Sequence, residues 1–392
     1  MHFADSPAPR RISIFDTTLR DGEQAPGNAL DPERKLDLAM RIEELGVDVI
    51  EAGFPASSPS DYRAAQLISK SLTRAEVATF CRANRRDIDL AVEAVGIENH
   101  QVQLLATASE IHLKHKRGIS QEAALDELRD TVEYARSLGV AHVSVGLEDA
   151  SRGSRQLIEA TIETSLAAGA TSIVIADTTG CATPAEFGSL ITAVRGWVPA
   201  PVTVSVHCHN DFGLALANAL AGIAAGADGV QATVGGIGER AGNTALEEVV
   251  ALLAYKSAEL GAYTDVKTES LYEVYTDLRA AIGLVEPRNK AIVGTFAFAT
   301  AAGIHQQGIL QNPETYEYVR PARFGRKTTL LIARHSGRAI LRHVLTEAGL
   351  DPADHDIDLL FERYVNGRAG GDCVELDVLR QEILGDLMGA TA

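Results

Sequence analysis

The chain has 392 residues, 46% of them apolar and 23% charged, with a net charge of −17 at neutral pH. That length points to one large domain with a smaller companion, or to two domains. No apolar run reaches membrane-span length, and so negative a chain disfavours nucleic acid as a general partner. The polar, proline-containing stretch Met1–Arg11 lacks the apolar core of a secretory signal, so export is not expected. Four cysteines, Cys81, Cys181, Cys208 and Cys373, show no C-x-x-C spacing. The expectation is a reducing cytoplasm, with neither a disulfide framework nor a cysteine-based zinc site.

From the N-terminus, one unit recurs: a short β-branched or apolar run, a loop, then an amphipathic helical stretch. The runs are Ile12–Phe15, Val47–Ile50, Glu76–Phe80, Val102–Leu105, His142–Val145, Ser172–Ile175, Val202–Val206 and Gly229–Ala232. Between them, Pro32–Leu45, Leu125–Leu138 and Ala215–Ala225 carry Leu, Ala, Ile and Val at helical spacing. Gly46, Gly139, Gly169 and Gly226 follow as helix stops. Eight strands alternating with helices over about 250 residues predict an α/β protein, a (β/α)8 TIM barrel. A doubly wound sheet fits less well, because no glycine-rich dinucleotide fingerprint follows the first strand. Past residue 265 the pattern changes. Thr268–Ile282 reads as a helix, Glu286–Gly308 as a mixed connector, and Thr329–Glu347 and Ile357–Leu387 mainly as helices. The expected division is a barrel over 1–265, a connector over 266–325 and a small helical region over 326–392.

In such a barrel the catalytic groups sit at the C-terminal ends of the strands. Those ends are where the polar residues of this chain collect. The first run leads into Asp16-Thr-Thr-Leu-Arg20-Asp21-Gly-Glu-Gln24, the second into Glu51, the fifth into Glu148-Asp149, and the sixth into Asp177-Thr178. The seventh ends in His207-Cys208-His209. Side chains two apart on a strand share a face, so His207 and His209 converge on one point. Taken alone, such a pair also fits two histidines bonded to neighbouring loops. With a carboxylate from Asp16 or Asp21, which spacing does not decide between, the pair makes a site for Mg2+, Mn2+ or Zn2+. A 2-oxo acid can chelate such an ion, and Arg20 can balance charge developing on oxygen. The glycine-rich Gly235–Gly242 lacks the Lys-Ser/Thr of a P-loop. It reads as a tight loop that presents Asn243.

Phe15–Gln24, Glu51–Pro55, His207–Asp211 and Gly236–Glu248 together resemble the isopropylmalate, homocitrate and citramalate synthase family of TIM-barrel metal enzymes. The resemblance runs from about residue 11 to about residue 345. It implies condensation of acetyl-CoA with a 2-oxo acid, then thioester hydrolysis to a 2-substituted malate. By the family pattern Asp21, His207 and His209 match metal ligands, and Asn243 matches a residue that ligates or flanks the metal. Arg20 matches the catalytic arginine, and Asp16 becomes a structural acid. Glu148 and Thr178 match positions near the reacting carbons. Gln24, Arg82 and Asn84 are candidates for substrate binding. Ala302–His305 and Pro313–Glu317 resemble a segment that supplies a catalytic His and Tyr, here His305 and Tyr316, to the partner of a domain-swapped homodimer.

Within the family the signals are mixed. Gly53–Pro59 and Ser109–Lys114 look like isopropylmalate or citramalate synthases, whereas Glu148–Arg152 and Arg334–Arg338 look like homocitrate synthases. Ser144 stands where lysine-pathway homocitrate synthases carry an arginine. The usual leucine-regulatory domain is not expected. A secondary-metabolism relative acting on a phosphonate or phosphinate oxo acid, with Arg82, Asn84 or the basic turn Lys114–Arg117 reading the extra anion, is one alternative. An aldol-cleaving lyase of the hydroxymethylglutaryl-CoA type is another, and a non-catalytic metabolite-binding protein a third.

Overall fold

The computed structural model describes residues 8–368 and 370–389. They fall into two compact units that divide between Val285 and Glu286.

The first unit is a closed barrel of eight parallel strands in sequence order. They are β1 (Ser13–Asp16), β2 (Val49–Glu51), β3 (Glu76–Arg82), β4 (His100–Thr107), β5 (His142–Glu148), β6 (Ser172–Asp177), β7 (Thr203–Cys208) and β8 (Gly229–Ala232). Each of the eight apolar runs became one strand. The barrel closes where β8 pairs with β1, Ser13 opposite Gly229 and Asp16 opposite Ala232. Several strands run past their apolar stretch into polar residues. Thr107 still pairs with Glu148, so the ladder itself carries Glu148 to the C-terminal rim.

The helices begin and end by local chemistry. Asp31, Ser58, Asn84, Ser120 and Ser154 each accept a backbone N–H of the first turn, and Thr183 forms a capping box with Glu186. The helix expected over Pro32–Leu45 has those bounds, and Gly46 after it adopts a left-handed conformation that a side chain would disfavour. No helix among the described residues is long and apolar enough to cross a membrane.

The second unit is mainly helical, with helices Gly303–Gln311, Arg338–Glu347, Ile357–Phe361 and Leu376–Gly389. It differs from the reading of Thr329–Glu347 and Ile357–Leu387. Thr329–Ile332 forms a strand between the short strands Ala299–Thr300 and Val374–Glu375. The physical reason is a β-branched and apolar run, Thr-Leu-Leu-Ile, cut off from the helix by Ser336 and Gly337. Ile332, Leu341, Val344, Val365, Leu379 and Ile383 form the core of this unit.

Within the barrel wall, His100 is buried between Thr79 Oγ1 (2.8 Å) and the Gly96 carbonyl (2.7 Å). Burial lowers its pKa from 6.5 to about 4. The folded chain thus binds this proton less tightly than the unfolded one, so stability is full above pH 6.5 and falls as the pH drops toward 4. The expected loss is about 3 kcal/mol over that window. His100→Asn should flatten this part of the curve of melting temperature against pH, and an unchanged curve would disprove the assignment.

Candidate active site and metal centre

The pleat of β7 puts His207 and His209 on one face at the C-terminal end of the barrel, and the loop after β1 brings Asp21 to meet them. All three are buried, and one ligand atom from each lies within 4.8 Å of the others. His207 Nε2 is 3.2 Å from His209 Nε2 and 3.6 Å from Asp21 Oδ2. A chain of amides orients His207. Gln231 Nε2 donates to Gln103 Oε1 (3.0 Å), so Gln231 Oε1 is left to accept from His207 Nδ1 (2.9 Å). That bond leaves His207 Nε2 as a bare lone pair aimed at the cluster. Burial lowers the His207 pKa to about 4, so the ring is neutral. Burial alone would raise the Asp21 carboxyl, but Arg20, His207 and His209 outweigh it and hold it well below the usual carboxylate range.

Asn243 completes the rim. It pairs with His209 in an isolated antiparallel bridge, and its Nδ2 donates to Asp21 Oδ1 (2.8 Å) and to the Ile237 carbonyl (3.1 Å). Its Oδ1 is buried without a hydrogen-bond partner. Gly238 lies against this amide: a Cβ there would stand 2.2 Å from Asn243 Nδ2. Two neutral imidazoles, one carboxylate and an orphaned amide oxygen fit a borderline divalent cation with positions left open. Asp16 stays outside the cluster. Its oxygens accept from the Thr18 amide and hydroxyl (3.0 and 2.8 Å), and burial raises its pKa to about 7.

Arg20 lies beside the cluster, its guanidinium held on two edges. Nε donates to Glu51 Oε2 and Nη1 to Asp21 Oδ2, both at 2.7 Å. The group also lies over the Phe80 ring, 4.9 Å from its centroid. Glu51 is fully buried; burial pushes its carboxyl up, against the pull of Arg20 and Thr17.

Arg20, Asp21, Phe80, His207 and His209 face a chamber of 340 Å³ that also takes in Gln24, Arg82, Lys116, Glu148, Thr178 and Glu239. Glu148 receives Lys116 Nζ at 2.5 Å and lies 3.2 Å from His112 Nδ1, without hydrogen-bond alignment to it. Thr178 Oγ1 accepts the Asp149 amide (2.9 Å), which ties the end of β6 to the end of β5. Arg82 lies at the rim, paired through Nε to Asp87 (2.9 Å) and over the Phe54 ring. Asn84 is not on the chamber wall. Its Oδ1 is occupied as the cap of helix Arg85–Val95, accepting the Asp87 amide. His305 and Tyr316 belong to the second unit, where both are exposed and their ring centroids are 4.4 Å apart.

Residues 11–278 match the HMGL-like family, and residues 292–368 match the homocitrate synthase post-HMGL domain-like family. A 2-isopropylmalate synthase from Pelotomaculum thermopropionicum is 43% identical over 359 residues, spanning 91% of this chain and 71% of that one. The chain belongs to the 2-isopropylmalate and citramalate synthase family. Another relative, a putative (R)-citramalate synthase from Methanopyrus kandleri, is 39% identical over 97% of this chain and 74% of its own length. Among solved structures, an HMG-CoA lyase from Acinetobacter baumannii in complex with coenzyme A and 3-methylmalate matches with a TM-score of 0.60. It is 25% identical and covers 69% of this chain and 91% of that one. The synthase family is one of acyltransferases, which makes this chain an enzyme of that class.

Sequence reasoning passed over Gln231 and Gln103 as working parts of this synthase-family site, and noted Glu51 at its strand end without giving it a partner. Gln231 had one available signal, a lone amide inside the otherwise apolar run of β8. Glu51→Ala would leave the Arg20 guanidinium buried with Asp21 as its remaining partner. Loss of about 3–5 kcal/mol of stability is expected on denaturant unfolding; a loss under about 1 kcal/mol would mean that Asp21 alone suffices to hold the arginine.

Proposed function

We propose that the chain catalyses a Claisen-type condensation of acetyl-CoA with a 2-oxo acid, followed by thioester hydrolysis to a 2-substituted malate and free CoA. What carries the reading is the cluster of Asp21, His207 and His209 beside Arg20, in a chain whose relatives are named for such products. Bound by those three residues, with Asn243 Oδ1 beside them, Mg2+, Mn2+ or Zn2+ would polarise the ketone of the oxo acid. Arg20 takes up the negative charge that develops on the ketone oxygen as the carbon–carbon bond forms. Glu51 holds the guanidinium in place beforehand, so the arginine does not have to reorganise.

The proton leaves the acetyl methyl group for His305, assisted by Tyr316 and Glu148. The methyl carbon then bonds to the ketone carbon as the carbonyl π bond breaks, and the ketone oxygen takes up a proton, returned from His305 or from water, to end as a hydroxyl. Water adds its oxygen to the thioester carbonyl, and CoA leaves as the thiol. Thr178 and Gln24 orient the oxo acid against the chamber wall. Phe80, Leu104, Leu105 and Val174 make part of that wall apolar, with Gly146 leaving room, which favours an aliphatic substrate such as 2-oxoisovalerate or pyruvate. The reading includes a homodimer in which the His305 and Tyr316 segment serves a second copy. Exposure of Ile304, Tyr316 and Tyr318 supports it. It also includes a cytoplasmic setting, in keeping with four free cysteines.

Thiol release from acetyl-CoA is the test, measured with a divalent metal and a panel of 2-oxo acids. Release is expected with 2-oxoisovalerate or pyruvate, abolished by chelation and restored by Mn2+. Asp21→Ala and His305→Ala should each lower it by about 100-fold or more. No release with any oxo acid, together with cleavage of hydroxymethylglutaryl-CoA, would replace the reading with a lyase. Gln231→Leu frees the His207 ring, and Mn2+ affinity by calorimetry should fall by about 10–100-fold. An unchanged affinity would show that the ring needs no such support.

A further inference from the structure

Glu148 lines two adjoining cavities, the chamber and a cleft of 810 Å³ where Arg82, Arg85, Arg86, Lys116 and Arg117 gather. The β5 ladder delivers its backbone to the rim but does not set which space the side chain faces. The next residue bears on that choice. Asp149 leaves the strand with a left-handed backbone, φ 62° and ψ 31°, and is fully buried. A residue with a Cβ keeps that conformation only where its surroundings hold it.

Every polar group of Asp149 is engaged. Its amide donates to Thr178 Oγ1 (2.9 Å), and its carbonyl accepts the Arg152 amide (3.1 Å). Its Oδ1 accepts Arg152 Nε (2.8 Å), and its Oδ2 accepts Ser109 Oγ (2.5 Å). Ser109, Arg152 and Thr178 follow three consecutive strands, β4, β5 and β6, and Asp149 is where the three loops meet. Ser109 Oγ in turn accepts the His112 amide (3.3 Å). That bond starts the turn whose π-helical winding over Leu113–Arg117 brings Lys116 to Glu148. His112 lies between the two acids, Nδ1 3.2 Å from Glu148 Oε2 and Nε2 3.6 Å from Asp149 Oδ2. Gly153 lets the loop after β5 rest on the end of β4: a Cβ there would stand 1.8 Å from the Ala108 carbonyl oxygen. On the far side, the Thr178 carbonyl accepts Arg240 Nη2 (2.5 Å), and Arg240 Nε donates to Asp211 Oδ1 (2.8 Å), two residues past His209.

We propose that Asp149 is a positioning residue: it aims the Glu148 carboxylate into the chamber and holds it in register with Thr178, without touching substrate itself. The proposal rests on the condensing reading above, in which Glu148 assists removal of the acetyl proton. A carboxylate is needed at 149 because Ser109 and Arg152 both donate to it. Asparagine has the same shape and tolerates the left-handed backbone, but its NH2 group faces one of those two donors.

In the full chain, Asp149→Asn should lower kcat by about 10–100-fold. The KM for acetyl-CoA and the Mn2+ affinity measured by calorimetry should stay unchanged. Added to Glu148→Gln, the same substitution should cost less than about two-fold more, because the two residues act as one unit. Where Asp149→Asn does not fold, Ser109→Ala removes one of the two side-chain bonds and should give the same pattern at smaller size. An unchanged kcat, a raised KM in place of a lowered kcat, or losses that multiply in the double variant would overturn the assignment. A crystal structure of Asp149→Asn needs no turnover: Glu148 and Thr178 should shift while Asp21, His207 and His209 keep their places. That shift, with no thiol release by the wild type from any oxo acid, would end the condensing reading and keep the positioning role. An unmoved Glu148 in a chain that does condense would do the reverse.

Discussion

The site depends on one buried cation shared by two carboxylates. Arg20 is almost fully enclosed, with Glu51 on one edge and Asp21 on another. Removing three charges from water is costly, and the arrangement persists because each oxygen that faces the arginine sits at hydrogen-bonding distance. Its effect is geometric. Glu51 ends β2, Asp21 follows β1, and the arginine between them fixes where the carboxylate of the cluster can stand. The loop around it is tied on both sides. Thr17 donates to Glu51, and Thr18 accepts the Val234 amide from the loop after β8.

That constraint explains the division of labour between two acids four residues apart from Arg20 and one apart. Asp16 and Asp21 both follow the first apolar run, and spacing gives no way to choose between them. The resemblance points to Asp21, and the two acids differ in their surroundings: Thr18 engages both Asp16 oxygens, whereas Asp21 lies beside two imidazoles. The eight strands and the shared face of His207 and His209 were legible because they follow from periodicity alone. The partners of those residues were not. Gln231 lies in a strand buried on both faces, where one amide in an apolar run carries no period to mark it. Lys116 and His112 reach Glu148 across more than 30 residues of chain, from a turn whose π-helical winding over Leu113–Arg117 no local pattern announced. In the second unit, Thr329–Ile332 read as helix because its neighbours do, and strand pairing with distant segments overrode that.

Global and local charge also part company here. A chain with 17 excess negative charges still gathers five cations around one cleft, because ion pairs with fixed carboxylates neutralise them at little field cost beyond a few ångströms. Screening by salt limits the reach of the remaining negative surface to about 8–10 Å. What a small anion meets on arrival is therefore decided by the nearest side chains, and net charge excludes partners only when they are large and uniformly charged.

The cluster lies across the seam of the barrel. Asp21 follows the first strand, His207 and His209 end the seventh, and Asn243 follows the eighth, which closes on the first. No segment of the fold contains the set by itself. A growing chain cannot assemble these side chains until synthesis has passed residue 243 and the last strand has docked beside the first. Assembly of this centre therefore reports that the barrel has closed, and it is a late, long-range event in folding rather than a nucleus for it.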